Sequence, residues 1–225
     1  MVANRKSKDE RMRNIENLKS NGYLVVDSVL DKTELGDISR CCDSQFKVRV
    51  GTRGLLDLDW VQHLAQKLKT HPELAPLMPA QAKAVQCNYF AKDMNSNWSV
   101  SLHRDLSIPV KSHVSVAGWS DGSIKEGICF MQPPKELLQS LLIVRLHLED
   151  NTSDNGALEL VAGSHQNNAS TGMRQLVPVN KGGVLLLRPL TLHASTKVRV
   201  GQRRVLHFVF APEKLPNNIE WKWSI

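Results

Sequence analysis

The chain is poor in cysteine and has no long apolar run. Its four cysteines form no C-x-x-C pair, and the two that are adjacent have poor geometry for a disulfide. They are Cys41, Cys42, Cys87 and Cys129. No segment is long and apolar enough to span a membrane, and the charged residues 1–13 do not resemble a secretory signal. We therefore expect a cytoplasmic protein without a disulfide framework, whose thiols are buried or inert.

Acidic residues are too few to balance the basic ones, and the formal net charge is +7. Much of the excess lies in residues 5–13 and 197–204. Such a balance suits nucleic acid or a small anionic substrate, although a run of charges is usually a solvated face. Aromatic residues make up only 5% of the chain and are not interleaved with the basic ones. A stacking platform for single strands is therefore not indicated, and nucleic acid is not the expected partner.

The hydrophobic pattern changes character about a third of the way along the chain. Helical spacing predicts helices near residues 9–18, 31–43 and 57–68, with Asp31 as an N-cap and a strand over residues 23–29. From residue 83, short apolar runs are separated by Gly, Pro, Asn and Asp, which predicts strands. The predicted strands cover residues 84–90, 98–102, 107–110, 141–148, 157–161, 175–179, 184–187 and 205–210.

About eight strands fit a jelly roll, the double-stranded β-helix of cupin-like barrels. We expect one domain over residues 1–225, with a helical part at about 1–80, a core at about 83–211 and a tail at 212–225. Residues 111–135 contain several glycines and a Pro-Pro pair. This segment is predicted to be a long loop, of the kind that often serves as a lid or a binding loop.

A histidine, an aspartate two positions later and a distant second histidine predict an iron(II) site made by His103, Asp105 and His193. Two histidines and one carboxylate occupy one face of the ion and leave the other positions for chemistry with oxygen. An H-x-D triplet is weak evidence by itself, and H-x-E occurs at residues 71–73 and 147–149. The first lies beside a proline and is expected at the surface. The second remains a competitor, because it ends a convincing strand.

The predicted strands favour the first triplet, because His103 and Asp105 follow one strand and His193 follows another apolar run. Alternation places Ser195 on the same face as His193. Arg204 begins the next predicted strand, and a buried arginine beside a metal needs an anionic partner such as a dicarboxylate.

The letters at residues 103–106 (HRDL) also resemble the catalytic loop of protein kinases. That loop requires an asparagine five positions after the aspartate, where this chain has Val110. A glycine-rich loop, a V-A-I-K lysine and a D-F-G motif are missing as well. The kinase interpretation is therefore rejected.

Three segments are similar to the phytanoyl-CoA dioxygenase (PhyH) family of iron(II)- and 2-oxoglutarate-dependent oxygenases. They are residues 21–26 (NGYLVV), 154–165 (DNGALELVAGSH) and 182–195 (GGVLLLRPLTLHAS). The family usually has a proline where this chain has Ala162, and the similarity extends over about residues 21–211. His165 belongs to the family pattern too, and we interpret it as structural, since a lone histidine is more often satisfied by a hydrogen bond than by a metal.

The resemblance implies that His103, Asp105 and His193 bind Fe(II), with 2-oxoglutarate and O2 as cosubstrates. It also implies that Arg204 binds the distal carboxylate of 2-oxoglutarate with help from Ser195. For this role strand alternation favours Arg204 over its neighbour Arg203.

The resemblance also implies that the reaction is hydroxylation of a small molecule, an amino acid or a secondary metabolite, with release of succinate and CO2. Desaturation or ring closure at the same site and a non-catalytic jelly-roll binding module are the alternatives, and a nucleic-acid demethylase is disfavoured. In related halogenases a small residue replaces the carboxylate ligand, so the resemblance together with the retained Asp105 argues against halogenation.

The substrate is less defined by the sequence than the metal site. Arg145 shares a predicted strand face with Ile143 and His147, where it would meet an anionic substrate, but an outward position at the surface is equally compatible with the pattern. Trp98 and His113 flank or occupy the predicted lid and are further candidates for substrate contacts, together with Trp119 and Lys125.

Overall fold

The computed structural model describes residues 2–46, 51–167 and 169–225. Within these ranges the chain forms four α-helices, which are Val2–Asn21 (α1), Lys32–Phe46 (α2), Asp59–Thr70 (α3) and Lys135–Gln139 (α4). The first three agree with the predicted helices to within a few residues, except that α1 begins earlier. Most of the N-terminal basic cluster lies outside the residues whose side chains are described.

The start of α2 is fixed by the predicted cap. The Asp31 carboxylate accepts a hydrogen bond from the backbone N–H of Glu34 at 2.9 Å, and the Glu34 carboxylate accepts one from the N–H of Asp31 at 3.2 Å. This reciprocal capping box satisfies two N–H groups that the helix itself cannot pair.

The strands form two main antiparallel sheets and a smaller one. The strands are Tyr23–Val26 (β1), Gly51–Thr52 (β2), Lys83–Asp93 (β3), Val100–His103 (β4), Ile108–Val110 (β5), Ser120–Lys125 (β6), Ile128–Gln132 (β7), Leu142–His147 (β8), Leu158–Leu160 (β9), Gln175–Val177 (β10), Val184–Leu187 (β11), His193–Ser195 (β12) and Gln202–Ala211 (β13). The larger sheet has the order β1-β11-β8-β13-β3-β2, and the second sheet has the order β10-β9-β12-β4.

This strand order is that of a jelly roll. In the larger sheet β3, β13, β8 and β11 are neighbours, and β4, β12, β9 and β10 form the second sheet, so successive core strands are shared between the two sheets. The predicted fold class is confirmed.

Both faces of the larger sheet are covered, which explains its nearly continuous apolar strands. Every residue of β8 and of β11 is buried. Along β13, Leu206, Phe208 and Phe210 pack with the apolar residues of the helices, whereas Val209 belongs to a second apolar cluster on the other face. Odd-numbered positions of β13 therefore face the second sheet and line the space between the sheets.

Residues 111–135 are not simply the long loop that we predicted. They contain the hairpin of β6 and β7, and β5 pairs with β7 on its other side. The turn is Glu126-Gly127, whose positive φ angles of 53° and 76° suit a two-residue hairpin turn. Gly122 lies so close to the Phe130 carbonyl that a Cβ would clash with it. Because the sequence of β6 is polar and contains glycine, it lacks the alternating apolar pattern from which strands are predicted.

The tail joins the helical part to the sheets. Trp221 and Trp223 are buried, and the backbone of Ile225 exchanges two hydrogen bonds of 3.1 Å with that of Ala84 in β3. The Trp223 indole N–H donates to the Asp57 carboxylate at 2.6 Å. In the described part of the chain, none of the helices has both the length and the apolar character needed to cross a membrane.

Candidate metal centre

The three predicted metal ligands lie together at one end of the second sheet. His103 ends β4 and His193 begins β12, and the two residues are directly opposite each other in this antiparallel pair. Asp105 follows two residues after β4, and its N–H donates to the carbonyl of Pro189 at 3.0 Å. The Asp105 carboxylate lies 3.8 Å from His103 Nε2 and 3.6 Å from His193 Nε2. Among the described residues, this is the one group of three or more potential ligands that could hold a metal ion.

Backbone carbonyls orient both histidine rings. His103 Nδ1 lies 2.8 Å from the carbonyl of Ser101, and His193 Nδ1 lies 2.9 Å from that of Thr191. Since a carbonyl only accepts hydrogen bonds, each Nδ1 carries the proton and each Nε2 presents a lone pair to the centre. This arrangement is typical of histidines that ligate a metal.

The electrostatics of Asp105 also fit a metal ion. Burial raises the pKa of Asp105, but His193, His207, His103 and Arg145 outweigh this effect, so that the pKa lies below its usual value. Burial lowers the pKa of His193, and Asp105 acts in the opposite direction. Asp105 Oδ2 is inaccessible to solvent and has no hydrogen-bond partner among the described residues. A buried charged oxygen of this kind needs a partner, and the donor set of two imidazoles and one carboxylate suits iron.

The competing triplet at residues 147–149 lacks this geometry. His147 is buried, both of its ring nitrogens are without partners among the described residues, and burial holds its pKa well below the usual value. Glu149 points away and accepts a hydrogen bond from Arg204 Nε at 2.6 Å. His71 accepts a hydrogen bond from the N–H of Glu73 in a local turn.

The prediction that Arg204 rather than Arg203 faces the metal is wrong. Arg204 lies on the helix side of the sheet, where it pairs with Glu149 and with Asp43 of α2. Arg203 is only 4% exposed and lines the cavity between the sheets. The reason is the register of β13, because the large residues at 206, 208 and 210 face the helices and all even positions follow them.

A cavity of about 460 Å³ opens beside the three metal ligands. Ser195 lies in its wall, and its hydroxyl accepts a hydrogen bond from Lys92 Nζ at 3.0 Å. Lys92 also donates to the Thr196 carbonyl at 3.3 Å and lies 4.7 Å from the ring centre of Trp98. Burial lowers the pKa of Lys92 to about 7, with further lowering by Arg203 and Arg145.

The remaining substrate candidates differ in their positions. Trp98 and Arg145 line the cavity, and Arg145 is not the surface residue that the sequence pattern also allowed. Lys125 lies at the mouth, with its ammonium 5.4 Å from the ring centre of Phe130. His113 is exposed. The described residues that line the cavity include neither His113 nor Trp119.

Sequence reasoning missed Lys92 and His207 and preferred Arg204 to Arg203, whereas the fold brings Lys92, Arg203 and His207 to the same cavity. In the register of the larger sheet, Lys92 is paired with Arg203, and Asn88 with His207. Polar residues at alternate positions of the long apolar strand β3 were a signal that could have identified this inward face.

A jelly roll with two histidines and one carboxylate at a strand end, open to a basic cavity, defines the class of non-haem iron oxygenases. The sequence family described as phytanoyl-CoA dioxygenase (PhyH) matches residues 18–205. The chain therefore belongs to the phytanoyl-CoA dioxygenase (PhyH) family. The predicted family is confirmed, and so is the enzyme class, a dioxygenase that uses iron and 2-oxoglutarate.

Solved structures of similar fold include two enzymes from nogalamycin biosynthesis and the protein HygX. The epimerase SnoN from nogalamycin biosynthesis, solved with Fe3+, α-ketoglutarate and nogalamycin RO, is 16% identical with a TM-score of 0.68, and the match covers 94% of this chain and 92% of SnoN. HygX from Streptomyces hygroscopicus, solved with nickel, 2-oxoglutarate and hygromycin B, is 18% identical with a TM-score of 0.58, covering 89% and 86%. The carbocyclase SnoK is 14% identical with a TM-score of 0.58, covering 89% and 83%. No curated protein sequence matches the chain.

Proposed function

We propose that this protein is an Fe(II)- and 2-oxoglutarate-dependent dioxygenase that hydroxylates a small molecule, an amino acid or a secondary metabolite, and releases succinate and CO2. The observation that carries the proposal is the shared cavity, which holds the metal ligands at one end of the second sheet and a buried Arg203–Lys92–Ser195 cluster on facing strands. A keto acid with a second carboxylate needs two attachment points. The metal site would hold the keto-acid end, and the Arg203–Lys92–Ser195 cluster would hold the second carboxylate.

Each residue has a definite role in this proposal. His103, Asp105 and His193 hold the iron, with their rings fixed by the carbonyls of Ser101 and Thr191. When bound, the iron supplies coupled oxidation of 2-oxoglutarate and of the substrate by O2. The distal carboxylate of the cosubstrate is bound by Arg203, with Lys92 and Ser195 beside it.

The residues around the site keep the cosubstrate in place and exclude water. An arginine pairs with a carboxylate through two parallel hydrogen bonds, which fixes the orientation of the cosubstrate as well as its position. The cavity wall near the ligands includes the apolar side chains of Leu158, Ile143 and Val209, which limit the access of water. Cosubstrate binding and a dry site are the contributions of the protein, whereas the oxidation belongs to the metal and its cosubstrate.

Two alternative functions can be distinguished by the same experiment. Desaturation or ring closure at this site is supported by the variety of reactions among proteins of this fold, which include an epimerase and a carbocyclase. A non-catalytic binding module is disfavoured because the three ligands and the basic cluster are all in place.

The deciding experiment has two stages. Anaerobic addition of Fe(II) and 2-oxoglutarate is expected to produce a visible charge-transfer band that His103→Ala lacks; no band from folded wild-type protein contradicts the proposal. Incubation with O2 and a fractionated metabolite pool is then scored for succinate and for product mass. A gain of one oxygen indicates hydroxylation, and a loss of two hydrogens indicates desaturation or ring closure.

A further inference from the structure

The cavity contains more buried positive charge than its carboxylate balances. Three cationic side chains on the inner face of the larger sheet are almost completely buried, with exposures of 1% for Lys92, 4% for Arg203 and 6% for Arg145. Among the described residues that line the cavity, Asp105 is the one with a carboxylate. Buried charges that lack partners are strongly destabilising, so this surplus indicates an anionic ligand.

The cosubstrate does not remove the surplus. This step rests on the proposed function, in which a divalent metal ion and doubly charged 2-oxoglutarate bring equal and opposite charges. At the Arg203 end of the cavity, the distal carboxylate of 2-oxoglutarate meets Arg203 and Lys92. Burial lowers the pKa of Lys92 to about 7, so the single negative charge of the carboxylate compensates most of the positive charge of these two side chains. The uncompensated charge is therefore that of Arg145, which lies near Asp105 at the metal end.

The position of Arg145 separates it from the proposed cosubstrate cluster. Arg145 of β8 is paired with His207 of β13, whereas Arg203 of β13 is paired with Lys92 of β3. Four residues of extended strand correspond to roughly 13 Å, so the backbones of the two arginines lie at different levels of the cavity. Burial lowers the pKa of Arg145 to about 10, with Asp105 acting in the opposite direction, and the guanidinium remains charged at neutral pH.

The hydrogen bonds of Arg145 leave one edge of its guanidinium available. Its Nη1 donates to Nδ1 of His207 at 3.0 Å. Burial and the neighbouring Arg145 lower the pKa of His207 to about 3, so this ring is a neutral acceptor. Arg145 Nε is buried and has no hydrogen-bond partner among the described residues. A free Nε edge of an arginine matches the planar, two-oxygen geometry of a carboxylate.

The cavity beyond Arg145 is mainly apolar. Its walls there include Leu138, Leu141, Ile143 and Val209. The whole space of about 460 Å³ must contain the cosubstrate as well as the substrate, so the substrate is small. An acid with a short hydrocarbon body satisfies both the charge and the walls.

We propose that the primary substrate is a small carboxylic acid with an apolar body, and that its carboxylate is bound by the Nε edge of Arg145. The body then lies between the apolar walls and the three metal ligands. Arg145 therefore selects the substrate, and Arg203 binds the cosubstrate.

Binding can be measured without turnover by loading the protein with redox-inert Zn(II) and 2-oxoglutarate. The probes are hexanoate, its uncharged match hexanamide, and hexyl phosphate, titrated by calorimetry or by Trp fluorescence. Wild-type protein is expected to bind hexanoate roughly 10-fold or more tightly than hexanamide, because the buried arginine is otherwise unpaired. Arg145→Gln is expected to abolish this preference and to change the Kd of 2-oxoglutarate by less than about 3-fold.

Matched variants separate this site from a general effect of charge and from misfolding. Arg53→Gln removes one positive charge at the cavity mouth, where Arg53 pairs with Glu126, and is expected to keep the preference for hexanoate. Arg145→Lys keeps the charge but lacks the two-donor edge, and is expected to retain only part of the preference. Thermal unfolding of each variant checks that it is folded.

Several outcomes overturn the proposal. Equal affinity of wild-type protein for hexanoate and hexanamide does so, and so does tighter binding of hexyl phosphate. Loss of 2-oxoglutarate binding in Arg145→Gln, with hexanoate binding unchanged, reassigns Arg145 to the cosubstrate. Repeating the hexanoate titration without Zn(II) and 2-oxoglutarate keeps the two proposals apart. If the protein binds neither Zn(II) nor 2-oxoglutarate, the proposed function fails. A preference for hexanoate over hexanamide that Arg145→Gln removes would still support the anion site at Arg145.

Discussion

Two adjacent arginines of β13 have opposite surroundings, which makes them a matched pair for testing the cavity. Arg203 lines the cavity, whereas Arg204 pairs with Glu149 and Asp43 on the helix side. Arg203→Gln is expected to raise the Kd of 2-oxoglutarate by about 30-fold or more, because truncating one partner of a buried charge pair costs roughly 2–5 kcal/mol. Calorimetry with Zn(II)-loaded protein measures this change.

Arg204→Gln serves as the control, with the opposite profile. It is expected to leave the Kd of 2-oxoglutarate unchanged and to lower the free energy of unfolding by about 1–2 kcal/mol, because Glu149 loses its cationic partner in a partly buried position. A Kd that rises in Arg204→Gln but not in Arg203→Gln would restore the assignment made from sequence.

Lys92 is expected to make stability depend on pH above neutrality. Its pKa in the folded protein is lowered to about 7 by burial, whereas an unfolded lysine titrates at about 10.4. Between these values the unfolded chain binds more protons than the folded one, so the contribution of Lys92 to stability rises with pH. Lys92→Met removes this rise, and urea unfolding of both proteins at pH 6.5 and 9 measures it.

Lys111→Met is the control for the lysine prediction, because Lys111 forms an exposed ion pair with Glu220. Its unfolding free energy is expected to follow that of the wild type at both pH values. A difference between wild type and Lys92→Met that stays constant with pH would show that the lysine does not titrate in this window.

At the scale of single elements, α2 depends on its capping box and is weakened by an internal glycine. Asp31→Ala removes the carboxylate that accepts a hydrogen bond from the N–H of Glu34, and is expected to lower the free energy of unfolding by about 1 kcal/mol.

Gly36→Ala is expected to raise the free energy of unfolding by about 0.5–1 kcal/mol, because a Cβ at this helical position meets no atom within 4 Å. Denaturant titrations with opposite shifts of midpoint check both. A loss of stability in Gly36→Ala would contradict this account of the helix.

Elements with strong local signals were predictable, and those with weak ones were not. The cap at Asp31 and the wholly apolar strand β11 were located from sequence, because each has a pattern that depends on a few neighbouring residues. The hairpin of β6 and β7 was predicted as a loop, since its first strand is polar and contains Gly122. Its pairing depends on contact with β5 rather than on its own hydrophobic pattern.

At the scale of the whole molecule, ligands that bind between the sheets should stabilise the fold. Ni(II) with 2-oxoglutarate, each about 100-fold above its Kd, is expected to add roughly 2.7 kcal/mol for each of the two ligands and to raise the Tm by roughly 10–20 °C. His193→Ala should abolish this shift, because His193 provides a ligand from β12. Differential scanning calorimetry with and without a chelator measures it.

His165→Ala is the control for the metal-dependent shift. His165 Nε2 lies 3.0 Å from the Lys19 carbonyl and donates to it, which ties a loop to the end of α1. This variant is expected to have a lower Tm than the wild type but to keep the full shift on adding metal and cosubstrate. Loss of the shift in His165→Ala would give that histidine a role at the metal.

The sequence by itself determined the fold class, the family and the three candidate metal ligands. Apolar alternation and turn residues are local signals, and ligands at strand ends have short, recognisable spacings such as that of His103 and Asp105. Only the tertiary structure decided which arginine faces the cavity and placed Lys92 and His207 with it. The reason is that the inward face of β13 is set by burial of distant residues against the helices, and a shift of one residue exchanges the two faces of a strand.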